Sequence, residues 1–100
     1  MTEKEKMLEG QLYDASDKQL VLERTHARKV TRQFNESEDE NKNEILKKLF
    51  ACTGEKLYIE PNFRCDYGNN IYIGDNFYAN FDCIILDVCK VAIGKNCMFG

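Results

Sequence analysis

One hundred residues with 43% hydrophobic side chains, 31% charged side chains and a formal net charge of −3 describe a single domain with no excess of positive charge for phosphates, which argues against a nucleic-acid binder. The opening Met1-Thr2-Glu3-Lys4-Glu5-Lys6-Met7 is charged where a secretory signal needs an apolar stretch. The purest apolar run, Cys83-Ile84-Ile85-Leu86, is far shorter than the roughly 20 residues that cross a bilayer, so a cytoplasmic chain without a membrane segment is expected.

At the N-terminus Met7, Leu8 and Leu12 form one apolar patch followed by Tyr13-Asp14-Ala15-Ser16, which predicts a short helix and a loop. Ser16 lies three residues before Gln19 and Ser37 three before Glu40, and each pairing predicts a capping box at the start of a helix. Leu20, Glu23, Ala27, Val30 and Phe34 share one face of the first helix; Ile45, Leu46, Leu49 and Phe50 share one face of the second, with Gly54 as its C-cap. The charges between these stripes, among them Arg24, Arg28, Arg32 and Glu40, read as solvated helix faces of mixed sign. His26 reads as a surface residue, with no nucleophile near it in sequence.

Beyond Gly54 the pattern changes to β-branched and aromatic residues interrupted by Gly, Asn and Asp. Ile71-Tyr72-Ile73-Gly74-Asp75-Asn76-Phe77 recurs as Val91-Ala92-Ile93-Gly94-Lys95-Asn96-Cys97, 20 residues later (91 − 71), and Leu57-Tyr58-Ile59-Glu60-Pro61-Asn62-Phe63 is a weaker copy. Aliphatic or small residues fall at Ile73, Ala79, Ile85, Ile93 and Phe99, in steps of six broken by one of eight; four residues after the first four of them stand Phe77, Cys83, Cys89 and Cys97. This period predicts short parallel strands around a filled interior, with Gly74 and Gly94 supplying backbone freedom at the corners. The five cysteines (Cys52, Cys65, Cys83, Cys89 and Cys97) contain no C-x-x-C pair and are accompanied by one histidine, so free thiols packed in the core are expected, and no metal.

Stacked coils need capped ends. The helices ahead of Gly54 are placed to cover the first end, while the chain stops in mid-unit at Cys97-Met98-Phe99-Gly100, so a longer natural protein, or cover from another chain, is expected. The expected architecture is α+β: a helical segment over residues 1–54, then the first coils of a hexapeptide-repeat solenoid over 55–100, truncated at its C-terminal end.

Gly10-Gln11-Leu12-Tyr13, Ile59-Glu60-Pro61-Asn62-Phe63-Arg64-Cys65-Asp66-Tyr67-Gly68, Asn76-Phe77-Tyr78-Ala79-Asn80-Phe81-Asp82-Cys83 and Leu86-Asp87-Val88-Cys89 resemble the maltose O-acetyltransferases and the related galactoside O-acetyltransferases. The resemblance covers essentially the whole chain. It implies a left-handed parallel β-helix, a homotrimer with active sites between subunits, and transfer of acetyl from acetyl-coenzyme A to a sugar hydroxyl. It also implies acceptor contacts at Asp66, Asn80 and Asp87, a wall at Tyr78, and a further contact from Asp14 or Asp17. The family's catalytic histidine and its coenzyme A coils would lie beyond Gly100, so the chain alone is expected to be inactive. In the galactoside enzymes two adjacent acids stand where this chain has Asp87 and Val88.

The chemistry needs a base for the sugar hydroxyl, donors for the oxyanion and polar groups that hold the acceptor in line. Asp66 and Asp87 accept hydrogen bonds from hydroxyls, and the Asn80 amide both donates and accepts. The alternatives are structural: a turn made by Asp66, a corner or ladder contact made by Asn80, packing by Tyr78. Two further readings of the whole chain are a truncated, non-catalytic trimerising module and a hexapeptide acetyltransferase with a non-sugar acceptor.

Overall fold

A computed structural model describes residues 1–100, starting with three helices: α1 (Glu3–Leu8), α2 (Lys18–Glu36) and α3 (Asn43–Leu49). Seven short strands follow: β1 (Leu57–Ile59), β2 (Phe63–Cys65), β3 (Ile71–Ile73), β4 (Phe77–Ala79), β5 (Cys83–Ile85), β6 (Val91–Ile93) and β7 (Met98–Phe99). They form three parallel sheets, β1-β4-β7, β2-β5 and β3-β6. Leu57 pairs with Phe77, Phe63 with Cys83, Ile71 with Val91 and Tyr78 with Met98, so every partner is one 20-residue coil away. This is a parallel β-helix of three faces. No helix is long and apolar enough to cross a membrane.

The three-residue strands follow from the pleat, because two inward side chains flank one outward residue. Leu57 and Ile59, Ile71 and Ile73, and Phe77 and Ala79 point inward; Tyr58 and Tyr72 point out, and Tyr78 is half-buried between Phe77 and Ala79. The central core runs through Ile59, Phe63, Ile71, Ile73, Phe77, Ala79 and Ile85, and is extended by Phe34, Leu46 and Phe50 from the helical side. Ile93, Cys97 and Phe99 of the last coil are only partly buried against it.

Three expectations about the helices are revised. The cap of α2 is Asp17, which accepts from the Gln19 N–H at 3.1 Å, whereas Ser16 donates its N–H and hydroxyl to Asp14. Ser37 ends α2 instead of opening α3; its hydroxyl accepts from Asp39 N–H, and α3 starts only at Asn43, without a side-chain cap at Lys42. The capping box belongs to α1, where the side chains of Thr2 and Glu5 each accept from the other's backbone N–H. Of the N-terminal apolar patch only Met7 is buried; Leu8 is exposed and Leu12 is 98% exposed.

The helices close the starting edge of the solenoid strand by strand, supplying the partners an edge otherwise lacks. Asn43 Oδ1 accepts from Ile59 N–H for β1 and the Asn35 amide serves Phe63 for β2. For β3, Ala51 N–H donates to the Ile71 carbonyl and Ile73 N–H donates to Cys52. The helical segment therefore merges with the solenoid at Cys52, which bridges Tyr72.

The corners also differ from expectation. The left-handed corner positions are Asn76 (φ 61°), Asp82 (φ 59°), Asn96 (φ 55°) and, among the glycines, Gly68 (φ 78°), not Gly74 and Gly94. Asn is among the few side chains that tolerate this region. Gly74 is needed for proximity: a Cβ there would come 2.9 Å from the Gly94 carbonyl carbon of the next coil. Gly54 is not a helix C-cap, since α3 ends five residues earlier with Phe50 already extended. Of the cysteines, all free, Cys65, Cys83 and Cys97 pack partly buried against the core, while Cys52 and Cys89 are exposed.

Candidate functional site

The step of eight residues falls at the same corner of both coils, after β2 and after β5, and this is where the polar side chains gather. Asp87, in the second coil, is 0% exposed and its carboxylate organises the loop of the first. Oδ1 accepts from Asp66 N–H at 3.1 Å and Tyr67 N–H at 2.9 Å, and Oδ2 accepts from Asn70 N–H at 3.2 Å. The Asn70 side chain donates to the Asp87 carbonyl at 2.8 Å. The charge that interrupts an apolar run is thus satisfied by three backbone donors, which is what makes its burial tolerable. Asp87, expected among the acceptor contacts, is instead committed to this loop. Val88 packs against the cluster of Met7, Leu20 and Tyr67.

Asp66 remains half-buried at the mouth of that loop. Burial, and next the Asp87 charge, push its carboxyl above the ordinary aspartate value, while Arg24 and Arg28 pull the other way. Burial pushes the neighbouring Cys65 thiol up to about 12, with Asp87 and Asp66 adding to the effect.

Arg24 ties the N-terminal loop to this corner. Its guanidinium donates to Tyr67 Oη at 2.9 Å and to the Ala15 carbonyl at 2.7 Å. The loop between Asp14 and Asp17 is thereby tied to Tyr67, the residue after Asp66. Asp14 is held low by hydrogen bonds from the Ser16 hydroxyl and N–H, and Asp17 is occupied as the α2 cap. Sequence reasoning placed Arg24 on a solvated face. The available signal was its spacing, one turn after buried Leu20.

Glu23, on the same helix, is the other link: burial pushes its carboxyl up, but hydrogen bonds from Asn69 and Lys4 outweigh this and leave it lowered. Asn69 Nδ2 and Lys4 Nζ both donate to Glu23 Oε1, at 2.8 and 2.9 Å. Neither Asn69 nor Asn70 stood out in the sequence.

Asn80 directly follows β4, at the corner before β5, whereas Asp66 directly follows β2, so the two stand at opposite ends of the β2–β5 sheet. Its Oδ1 accepts from Phe81 N–H at 2.9 Å. Tyr78 lies on a different face, stacked on Tyr58 with ring centroids 5.4 Å apart. Asp66 is thus joined to Asp87 through its N–H, Arg24 joins the Ala15 carbonyl to Tyr67, and no hydrogen bond links Asn80 or Tyr78 to these residues. His26 is exposed on α2.

Residues 6–54 match the maltose acetyltransferase hexapeptide capping motif. The crystal structure of a maltose O-acetyltransferase from Clostridium difficile 630 superposes with a TM-score of 0.94 at 54% identity, covering 98% of this chain and 54% of that one. A hexapeptide-repeat-containing acetyltransferase of Vibrio cholerae, complexed with acetyl coenzyme A, gives a TM-score of 0.86 at 29% identity, over 100% of this chain and 55% of that one. The galactoside O-acetyltransferase of Escherichia coli strain K12 is 37% identical over 92% of this chain and 47% of its own. The chain spans about half the length of the curated relatives it matches.

Proposed function

Since the chain belongs, over the segment it spans, to the hexapeptide-repeat acetyltransferases of the maltose and galactoside type, we propose that it is the acceptor-binding half of an acetyl-coenzyme A-dependent sugar O-acetyltransferase. The observation that carries this reading is the Asp66 corner. A half-buried carboxyl is held in place through its own backbone N–H by buried Asp87 and is flanked by Arg24, which brings up the Asp14–Asp17 loop. Such a site orients a polyhydroxylated ligand with few, fixed polar groups.

In this reading Asp66 accepts a hydrogen bond from a sugar hydroxyl, and Asp14 or Asp17 supplies a second acceptor. Asn80 donates and accepts at the far end of the sheet, and Tyr78 forms a wall toward a neighbouring subunit. Asp87 is a positioning residue, since its carboxylate acts through the loop. The base is the family's histidine, outside this chain, and the acetyl donor is acetyl-coenzyme A. The working form is a cytoplasmic homotrimer built on a left-handed β-helix, and the exposed apolar side chains of Phe81 and Met98 support the association of subunits.

The test is acetyl transfer from acetyl-coenzyme A to maltose and glucose by a full-length version that carries the family's histidine, followed by thiol release and by mass of the product. Transfer that drops at least tenfold on Asn80→Ala and on Asp66→Ala, with unchanged circular dichroism, is the expected result. Transfer only to a non-sugar hydroxyl moves the acceptor class. Absence of any transfer from a folded, defined trimer overturns the enzyme in favour of a scaffold.

A further inference from the structure

Between α2 and the outer face of the β2–β5 sheet lies a groove of about 540 Å³, a volume in the ~300–1,000 Å³ range of small-ligand sites. Arg28 and Arg32 reach it from successive turns of α2, and Arg64 reaches it from the middle of β2, where it points outward beside its register partner Ile84. Glu36 is the one carboxylate on the lining. The ion pairs of the chain are Lys4–Glu23, Lys6–Glu3 and Lys47–Glu44, none of them in the groove.

A solvated helix face of mixed sign explains Arg28 and Arg32 taken alone, but not a third guanidinium delivered from a β-coil 32 residues further on (64 − 32). Like charges one turn apart on a helix repel each other, and a concave wall on which three guanidiniums outnumber one carboxylate focuses a net positive field. The groove is also rigidly based, because Asn35 on its wall is bonded twice to the Phe63 backbone. Its floor includes Ile84 and Leu86, 61% and 69% exposed, an apolar surface suited to the C–H face of a sugar ring. It runs to Cys65, next to Asp66, and Arg28 is close enough for its charge to act on Asp66.

We propose that this groove binds an anionic substituent of the acceptor, a phosphate or a carboxylate, so that the sugar presented to Asp66 is a negatively charged one. The inference rests on the sugar-acceptor reading above and narrows it. Guanidinium groups suit the task because their planar forks match both oxyanions in a bidentate manner. Coenzyme A also carries phosphates, and the experiment separates the two sources.

Binding to the polypeptide as encoded is measured by calorimetry, and the arginine Nε–H resonances are followed by NMR, with five probes: glucose, glucose 6-phosphate, glucuronate, inorganic phosphate and coenzyme A. The expected result is that glucose 6-phosphate or glucuronate binds at least tenfold more tightly than glucose, with shifts at Arg28, Arg32 and Arg64. Arg64→Ala and Arg32→Ala should bring that ratio close to one without changing glucose affinity. All three arginines are exposed, so these variants are expected to keep the parent circular dichroism. Raised salt should shrink the preference.

Glucose bound as tightly as the charged sugars overturns the groove proposal and leaves the sugar acceptor standing. Inorganic phosphate bound as tightly as the sugar phosphate, or arginine shifts with coenzyme A alone, also overturns it. If none of the sugars binds, the acceptor reading itself falls, and the groove proposal with it.

Discussion

Asn35 replaces a neighbouring strand for Phe63: its Oδ1 accepts from the Phe63 N–H at 2.8 Å and its Nδ2 donates to the Phe63 carbonyl at 3.1 Å. A helical side chain thus finishes the edge of a β-coil with both bonds a strand would make. Phe63 itself is 0% exposed. Asn35→Ala leaves a donor and an acceptor without partners beside the core. At ~1–3 kcal/mol per unsatisfied buried group, with partial access of water, the expected loss is about 2–3 kcal/mol. Urea unfolding should show a lower midpoint at unchanged slope; a midpoint equal to the parent's would mean that water replaces the amide.

Asp87→Ala removes one acceptor from three backbone N–H groups at once. Hydrogen bonds to a charged group are worth ~1.5–3 kcal/mol each and do not add fully, so a loss of about 3 kcal/mol or more is expected. Thermal unfolding checks this. Asp66→Ala, by contrast, should leave the fold nearly untouched, because it is the Asp66 backbone, not its side chain, that Asp87 holds. Equal destabilisation by the two substitutions would contradict the division between positioning and contact residues.

Asp66 should make stability depend on pH. Burial and then Asp87 raise its carboxyl above the ordinary aspartate value, so the folded chain holds this proton more tightly than the unfolded one. Its stabilising contribution is complete below the ordinary value and is lost as pH rises through the raised one. Asp66→Asn should therefore match the parent at low pH and exceed it in stability above that window. The unfolding free energies of the two chains, compared across pH, test it; a gap that narrows with rising pH reverses the sign and sinks the assignment.

Asn76 combines a left-handed backbone, φ 61°, with a hydrogen bond from its Nδ2 to Asn96 Oδ1 at 2.9 Å, one coil on. Asn76→Ala loses both the tolerance for that backbone and the bond, for an expected cost of about 1–3 kcal/mol. Asn76→Gly should recover the backbone part only. Denaturant melts of the two variants separate the contributions. If they are equally destabilised, strain at this corner contributes little.

The solenoid was legible because its interior repeats. Ile71 and Val91 fall one coil apart and are indeed register partners, and Ile73, Ala79 and Ile85 are buried as the hexad period demands. The step of eight was visible too, but its purpose was not. It makes room for the loop that Asp87 organises, and the bond between Asp87 and Asp66 joins residues 21 apart that no local pattern connects. The same holds for Asn35 and Phe63, 28 apart. Cap assignment failed for a local reason: Ser16 and Asp17 are both competent caps, and the choice went to Asp17 once Ser16 was taken by Asp14.

From the order of residues alone came the coil length, the inward positions and the helical segment ahead of them, because hydrophobic spacing is a property of neighbours along the chain. Only the tertiary structure decided which polar groups meet. Asp87 reaches back one coil to Asp66, Arg24 joins Ala15 to Tyr67, and Arg64 faces Arg28 and Arg32 across a groove. Winding brings such residues together at distances set by the coil, and partners chosen across coils leave no periodic trace in the sequence.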